Sequence, residues 1–577
     1  MGDKETSLSR RGLLAGAGAV AAGSVVASCS QSSESDDEHW DETCDVLCVG
    51  SGAAGATAAI TATAQGAEVL ILEKMPYPGG TTAKSGGVAW IFNNFLLKEK
   101  GIDDRKEDAL KYAVRYGYSR EYDPDSPTLG LDETRFGVIE SFYDHGSEAV
   151  DFLRETGAVQ FKEFRLYQLD KPAPDYADHL PENKVPSGRC LEPAEGSGAT
   201  GGGGSLFGQL SDYLEAQGVP VMLDTQVTRI VKDTDGRVTG VEALRDGEPL
   251  RIRAKRGVVF ATGGYSHNVE LCNLHQPSVY GSCAMPGSTG DFIPLAQEAG
   301  AKMGNLGYAW RSQVVMDEAV NSRAVGLGAF VLPGDSMILV NKYGKRVVNE
   351  KRDYNDRTQA HFPYDPAHEE YPNHLLFMVF DARSLDAFGG AFPLPTPYIG
   401  QSHVLKGANV DELARKIDAQ LAQWSGKTGG VKLAEDFTAN LGDTISRYNA
   451  FAEAGVDADF GRGKYRYDRE WHKLFSARRE GTEQPENPYP NITMHPFASE
   501  GPYFAIVLAP GTLDTAGGPQ INADAQILGP DNEPIPGLYG AGNCIASPTG
   551  QAYLGAGGTI GPALAFGYVA GKHAAES

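Results

Sequence analysis

The run Gly50-Ser51-Gly52-Ala53-Ala54-Gly55 has the spacing of a phosphate cradle. It follows a short apolar stretch, Asp45 to Gly50, and opens an Ala/Thr-rich stretch from Ala56 to Gln65 with helical character. The glycines allow a tight turn and let main-chain amides approach a pyrophosphate, and the helix N-terminus adds a favourable dipole. A second apolar stretch, Glu68-Val69-Leu70-Ile71-Leu72, runs into Glu73 and Lys74. A carboxylate about 20 residues beyond the glycines is placed to accept hydrogen bonds from ribose hydroxyls. The glycine pattern alone is a weak signal; inside a complete strand–turn–helix–strand unit it is a strong one.

More glycine loops follow. Gly80, Thr81, Thr82, Ser85, Gly86 and Gly87 fall in one glycine- and hydroxyl-rich loop. Ala261-Thr262-Gly263 ends a later strand, and Gly540-Ala541-Gly542-Asn543 ends another. Several such loops converging on one long ligand point to FAD rather than NAD. No second complete strand–turn–helix–strand unit around such glycines is read for a nicotinamide, so electrons pass to or from a separate partner, such as a quinone or a cytochrome.

These loops resemble those of the fumarate reductase/succinate dehydrogenase flavoprotein superfamily, and within it the 3-ketosteroid Δ1-dehydrogenases. The resemblance covers nearly the whole chain beyond its leader. It rests on Gly79-Gly80-Thr81-Thr82 to Trp90, on Pro286 to Asp291, and on Gly455 to Gly463. It rests also on Gly501-Pro502-Tyr503-Phe504-Ala505 and, most specifically, on Tyr553-Leu554-Gly555-Ala556-Gly557-Gly558-Thr559-Ile560-Gly561-Pro562.

The resemblance implies an enzyme that forms or reduces a C=C bond beside a carbonyl, on a small apolar, steroid-like substrate. Flavin N5 exchanges the hydride. Donors aimed at the carbonyl oxygen acidify the neighbouring C–H, one such donor being worth about 3 kcal/mol. The resemblance assigns that grip to the Tyr553 hydroxyl and the Gly557 amide, proton transfer to Tyr354, and assistance to Tyr176, with Tyr167 as substitute. Gly558, Thr559 and Ile560 fall to the cofactor, as does Asp291. Lys351, Arg352 and Asp353 depart from the family, which is small or apolar there. A fumarate- or urocanate-type reductase is the alternative. It requires cations for a substrate carboxylate, and His495, Arg352 and Arg357 are the candidates. A flavin carrier without chemistry would need no carbonyl grip.

The elements that must position these residues read as α/β. A Rossmann-like FAD-binding domain, with a parallel sheet and a small antiparallel meander over 227–261, is expected over 42–306 and 505–577. An α+β catalytic domain over 307–504 is inserted between the two parts. Ile338–Asn341 and Arg346–Asn349 read as a hairpin, residues 408–455 as helical, and Gly201–Gly204 as a flexible loop. The net charge of −24 argues against nucleic acid, which requires a basic face.

Residues 1–29 begin with Ser9-Arg10-Arg11-Gly12-Leu13-Leu14 and a mild apolar run. They resemble a twin-arginine export signal, implying an extracytoplasmic enzyme. Val26-Ala27-Ser28-Cys29 resembles a lipoprotein cleavage box, which would tether the protein to a membrane through Cys29, with 30–41 as the tether. The remaining cysteines show no C-x-x-C pair and no zinc or iron–sulfur spacing, so no metal is expected.

Overall fold

The computed structural model describes residues 39–166, 169–194, 202–276, 278–395, 402–474 and 486–577. The export leader, most of its tether and Tyr167 lie outside the described residues. A single compact unit runs from Trp40 to Ser577.

Its first sheet has eight strands. Glu42–Val49 is the parallel centre, flanked by Val69–Leu72 on one side and Glu248–Phe260 on the other. Pro534–Gly540 continues the sheet in parallel beyond Glu248–Phe260. These strands are buried on both faces, and so read as unbroken apolar runs such as Val46-Leu47-Cys48 and Val258-Val259-Phe260. The meander is present as Thr225–Lys232, Val238–Arg245 and the start of Glu248–Phe260, all antiparallel. Its alternating burial fits one packed and one wet face. Helix Ala53–Ala64 packs on the C-terminal helix Ile560–Glu576. Their contact is backbone-close: a Cβ on Gly567 would lie 2.5 Å from Ala54 O.

The second sheet has six strands, with Tyr503–Thr515 as its spine. That strand pairs with Ala309–Val315, Leu376–Asp381 and Val404–Gly407. Helices Val410–Gln423 and Phe437–Ala454 contribute apolar residues to the core beside it. The spine spans the boundary expected at 504/505, and Gly281–Ser282 joins the same sheet well before residue 307.

Two local expectations are corrected. Met337–Val340 pairs with Leu376–Asp381 and meets Arg346 through a single bridge, so 338–349 is no regular hairpin. The side chains at 346 and 350 form an ion pair instead of extending a ladder. Gly202–Gly204 opens the helix Gly202–Ala216 and is not a flexible loop. Added Cβ atoms on Gly202 and Gly203 would fall 2.0 Å from Gly86 O and 2.3 Å from Ser85 O, so these glycines serve close packing.

Candidate active site

A cleft of about 1150 Å³ opens where the first strand meets its helix. Gly50, Gly52, Gly80, Gly263 and Gly542 along its lining suit an extended dinucleotide. Gly50, Gly52, Ala53, Ala54, Glu73 and Lys74 line one end. Gly80, Thr81, Thr82 and Ser85 line a second stretch, with Ala261, Thr262, Gly263 and Asp291 opposite. Gly542, Asn543, Thr559 and Ile560 close the far wall. Four glycines expected at the cofactor do not line the cleft: Gly55, Gly86, Gly87 and Gly558. Gly55 presses on Gly50 O, and Gly87 on the start of helix Gly202–Ala216, so these two serve backbone packing.

The glycines that do line the cleft differ in purpose. Gly50 has φ +106°, and a Cβ there would lie 2.4 Å from Ala261 O, so the fold itself requires it. Gly52 has φ −69°, and the nearest protein atom to an added Cβ is Thr82 Oγ1 at an ordinary 3.4 Å. Nothing in the protein demands glycine at 52; the space it leaves fits a pyrophosphate approaching the helix N-terminus. The first turn of that helix carries no acidic side chain to oppose such a ligand. Three hydrogen bonds hold the Glu73 carboxylate in place. Ser51 donates to it through N (3.2 Å) and Oγ (2.6 Å), and the Met75 amide donates at 3.0 Å. Lys74 pairs with Asp291 at 3.0 Å and forms part of the cleft wall.

Sequence reasoning missed Ser51, Met75, Ser288 and Asp514, which also line the cleft. Ser51 stood inside the glycine motif and could have been found there. Asp514 arrives from the end of the second sheet's spine, a long-range placement that no local pattern signals.

Beyond the Asn543–Thr559 wall lies a cluster of aromatic rings. Tyr176, Tyr354 and Tyr553 come together from three distant parts of the chain, and are 1%, 6% and 4% exposed. The Tyr176 hydroxyl donates to the Tyr354 hydroxyl at 3.1 Å. Tyr553 stacks on Tyr176 with centroids 5.5 Å apart and meets Tyr354 at 5.3 Å. Trp310 and Phe330 complete the enclosure against Tyr553 and Tyr354. Burial, reinforced by the neighbouring phenols, pushes the Tyr354 hydroxyl well above the usual phenol range. Burial does the same to Tyr176 and raises Tyr553.

Each phenol is anchored. Tyr354 begins a short helix, Tyr354–Thr358, that Asp353 caps by accepting from the Asp356 amide at 3.0 Å. Next to it, Asn355 accepts from the Arg311 amide (2.9 Å) and donates to Gln551 O (3.0 Å). The Tyr176 amide donates to Leu554 O at 3.0 Å, tying it to the residue after Tyr553. Preceding Tyr176, Asp175 accepts from the Trp90 indole at 2.8 Å and from Arg189 at 2.5 Å. The Trp90 amide in turn donates to Gly557 O at 3.1 Å. Gly557 has φ +90°, and a Cβ there would lie 2.3 Å from Val88 O. Glycine at 557 is thus demanded by the adjoining backbone as well as by any carbonyl that its amide must reach. Among the described residues, that amide has no hydrogen-bond acceptor.

The charged residues that depart from the family pattern are absorbed by the protein. Lys351 donates to Leu332 O and Gly334 O at 2.5 and 2.7 Å. Arg352 donates to Tyr176 O at 2.8 Å and lies over the Tyr467 ring. Asp353 is the helix cap. The cations considered for a carboxylate substrate are similarly committed. Arg357 donates to Gln313 Oε1 and Arg352 O, both at 2.8 Å, and to Ala329 O. His495 Nδ1 lies 2.8 Å from Pro496 O.

A glycine-lined dinucleotide cleft beside a sealed cluster of phenols defines an oxidoreductase. The family model described as FAD binding domain matches residues 45–560, and the chain belongs to this family, with FAD as its cofactor. The chain is 30% identical to a 3-oxosteroid 1-dehydrogenase of Mycolicibacterium smegmatis, over 91% of this chain and 96% of that one. It is 31% identical to a 4-oxocyclohexanecarboxylate 2-dehydrogenase of Sinomonas cyclohexanicum, over 92% of each. Among solved structures, it is similar to a 3-ketosteroid Δ1-dehydrogenase from Sterolibacterium denitrificans, solved with 1,4-androstadiene-3,17-dione. There the TM-score is 0.75 at 25% identity, covering 93% of this chain and 100% of that one. The chain is an FAD-dependent oxidoreductase of the CH–CH class.

Proposed function

We propose that this enzyme forms or reduces the C=C bond next to the carbonyl of a cyclic ketone, a 3-ketosteroid-like molecule first of all. The observation that carries the reading is the convergence of Tyr176, Tyr354 and Tyr553 in one buried aromatic cluster. The two dehydrogenases named above act, by their names, on ring ketones, which supports the same chemistry here.

Bound FAD supplies the hydride acceptor or donor. The Tyr553 hydroxyl and the Gly557 amide hold the carbonyl oxygen, drawing electron density from the adjacent carbon. Tyr354 exchanges the proton at that carbon, and Tyr176 steadies its oxygen through the 3.1 Å hydrogen bond. The aromatic walls exclude water and favour a flat apolar ring. A carboxylate substrate is disfavoured, because Arg352, Arg357 and His495 are turned to protein acceptors. The electron partner is separate, a quinone or cytochrome. The leader would export the folded holoenzyme by the twin-arginine route, and Cys29 would anchor it; Cys29→Ser should release it from membranes, and retention would exclude the anchor.

The test uses the flavin's colour. The holoenzyme is bleached anaerobically, then offered 1,4-androstadiene-3,17-dione, 4-oxocyclohex-2-ene-1-carboxylate or fumarate. The oxidised enzyme is offered the saturated ketones with an artificial acceptor. Return of colour with a ring enone, or dye reduction by a ring ketone, supports the reading. Response to fumarate alone would replace it with the carboxylate reductase.

A further inference from the structure

Asp514 stands at the end of the second sheet's spine and lines the cofactor cleft. Its carboxylate is buried and crowded with donors. Oδ1 accepts from Ser266 Oγ and the Thr515 amide, both at 2.9 Å. Oδ2 accepts from the Gly264 amide at 2.9 Å, Asn543 Nδ2 at 3.3 Å and Ser288 Oγ at 3.4 Å. Asn543 faces two unlike partners. Its Nδ2 meets this acceptor, and its Oδ1 accepts the Trp310 indole N–H at 3.1 Å. An indole can only donate, and an ionised carboxylate can only accept. The opposite amide orientation would set oxygen against carboxylate and NH₂ against N–H. Asp514 therefore fixes which end of Asn543 faces Trp310. The Trp310 ring meets Tyr553 edge-on, with centroids 5.5 Å apart and planes at 86°.

We propose that Asp514 and Asn543 are positioning residues, which orient Tyr553 through the hydrogen bond from Asn543 to the Trp310 indole. The proposal rests on the role given to Tyr553 above and adds the relay that sets it. None of these three residues exchanges a proton with substrate. They hold the ring whose edge packs against the carbonyl-gripping phenol, and a shift of about an ångström in such a group can cost about 10²-fold in rate.

The test uses three variants of the FAD-loaded enzyme with a ring ketone and a dye acceptor. Trp310→Phe keeps a ring and removes only the N–H donor. It should lower kcat at least 5-fold, with KM and FAD content within 2-fold of the parent. An unchanged kcat would overturn the relay. Asn543→Ala should lower kcat at all pH values alike. Asn543→Asp places a carboxyl against the Asp514 carboxylate. While protonated, the introduced carboxyl donates to Asp514 and accepts from the indole, as the amide does. Compared per bound FAD, the variant should exceed Asn543→Ala at low pH and fall to the Asn543→Ala level as pH rises and the two carboxylates repel. The near-ultraviolet circular dichroism of its aromatic rings should change over the same pH range. An Asn543→Asp variant equal to the parent, or to Asn543→Ala, at every pH would overturn the proposal. A parent enzyme inactive on every ring ketone would instead sink the reading of function beneath it.

Discussion

The hydroxyl of Tyr176 donates to the hydroxyl of Tyr354 across 3.1 Å, between residues 178 positions apart in the chain. By donating, Tyr176 leaves the Tyr354 proton free to be exchanged with a bound ring. It also stabilises negative charge on Tyr354 when that proton is gone. Tyr354→Phe should therefore cut turnover by about 10²–10⁴-fold, the range for loss of a general acid or base. FAD content, read from flavin absorbance, should stay at the parent level, since Tyr354 does not line the cofactor cleft. Normal turnover would remove Tyr354 from the mechanism.

The buried phenols give the reaction a direction-dependent pH profile. Burial first, then the neighbouring tyrosines, raises Tyr354 well above the ordinary phenol value, so it is protonated at neutrality. On the proposed mechanism, desaturation needs Tyr354 to take a proton and thus needs the scarce phenolate. Its rate should climb with pH through the neutral and alkaline range. Saturation, on the same reading, uses the phenol as donor, so its rate should stay flat across that range. Steady-state rates in both directions across pH 6–10, as an order-of-magnitude window around the phenol value, check this. A desaturation rate that falls with rising pH would contradict it.

Residues read in short windows were legible, and those assembled across the fold were not. The glycine motif, Glu73 and the strand–helix–strand unit lie within about one βαβ length, where the spacing itself carries the chemistry. The tyrosines were legible only through resemblance, because 25 tyrosines offer no local signal for the three that meet. Lys351 and Arg352 looked like a challenge to substrate identity. Their partners, Leu332 O and Tyr176 O, are main-chain carbonyls that no sequence pattern displays. Asp514 was invisible for the same reason: its donors come from four separate segments.

Gly557→Ala should be more severe than its size suggests. The residue has φ +90°, and the new Cβ would lie 2.3 Å from Val88 O and 2.5 Å from Val88 C. Backbone, not a flexible side chain, must move. The strain is on the order of 1–3 kcal/mol, and the moved segment carries the amide proposed to hold the substrate carbonyl. Loss of one such donor lowers kcat by about 10²–10³-fold. Stopped-flow hydride transfer should fall by that amount while the protein still binds FAD. A rate within 3-fold of the parent would mean that the Gly557 amide takes no part.

Arg189 carries the scaffold behind Tyr176. Its guanidinium, 1% exposed, donates to Asp104 at 2.6 and 2.8 Å, to Asp175 at 2.5 Å and to Asn183 at 3.0 Å. Asp175 also accepts from the Trp90 indole, and Trp90 grips Gly557 O through its amide. One cation thus ties the segment bearing Tyr176 to the loop bearing Tyr553. Removing one member of a buried ion pair leaves an uncompensated charge and destabilises by about 3–5 kcal/mol. Here Arg189→Met would strand two carboxylates. Burial already pushes Asp175 upward, with Arg189 the chief counterweight. Without the guanidinium, Asp175 should keep its proton to higher pH than in the parent, and the variant's stability should fall as pH rises and that proton is lost. Denaturant midpoints measured at about pH 5 and 8, either side of neutrality, should therefore differ more for Arg189→Met than for the parent. Equal midpoint shifts at both pH values would show that Arg189 acts by packing alone.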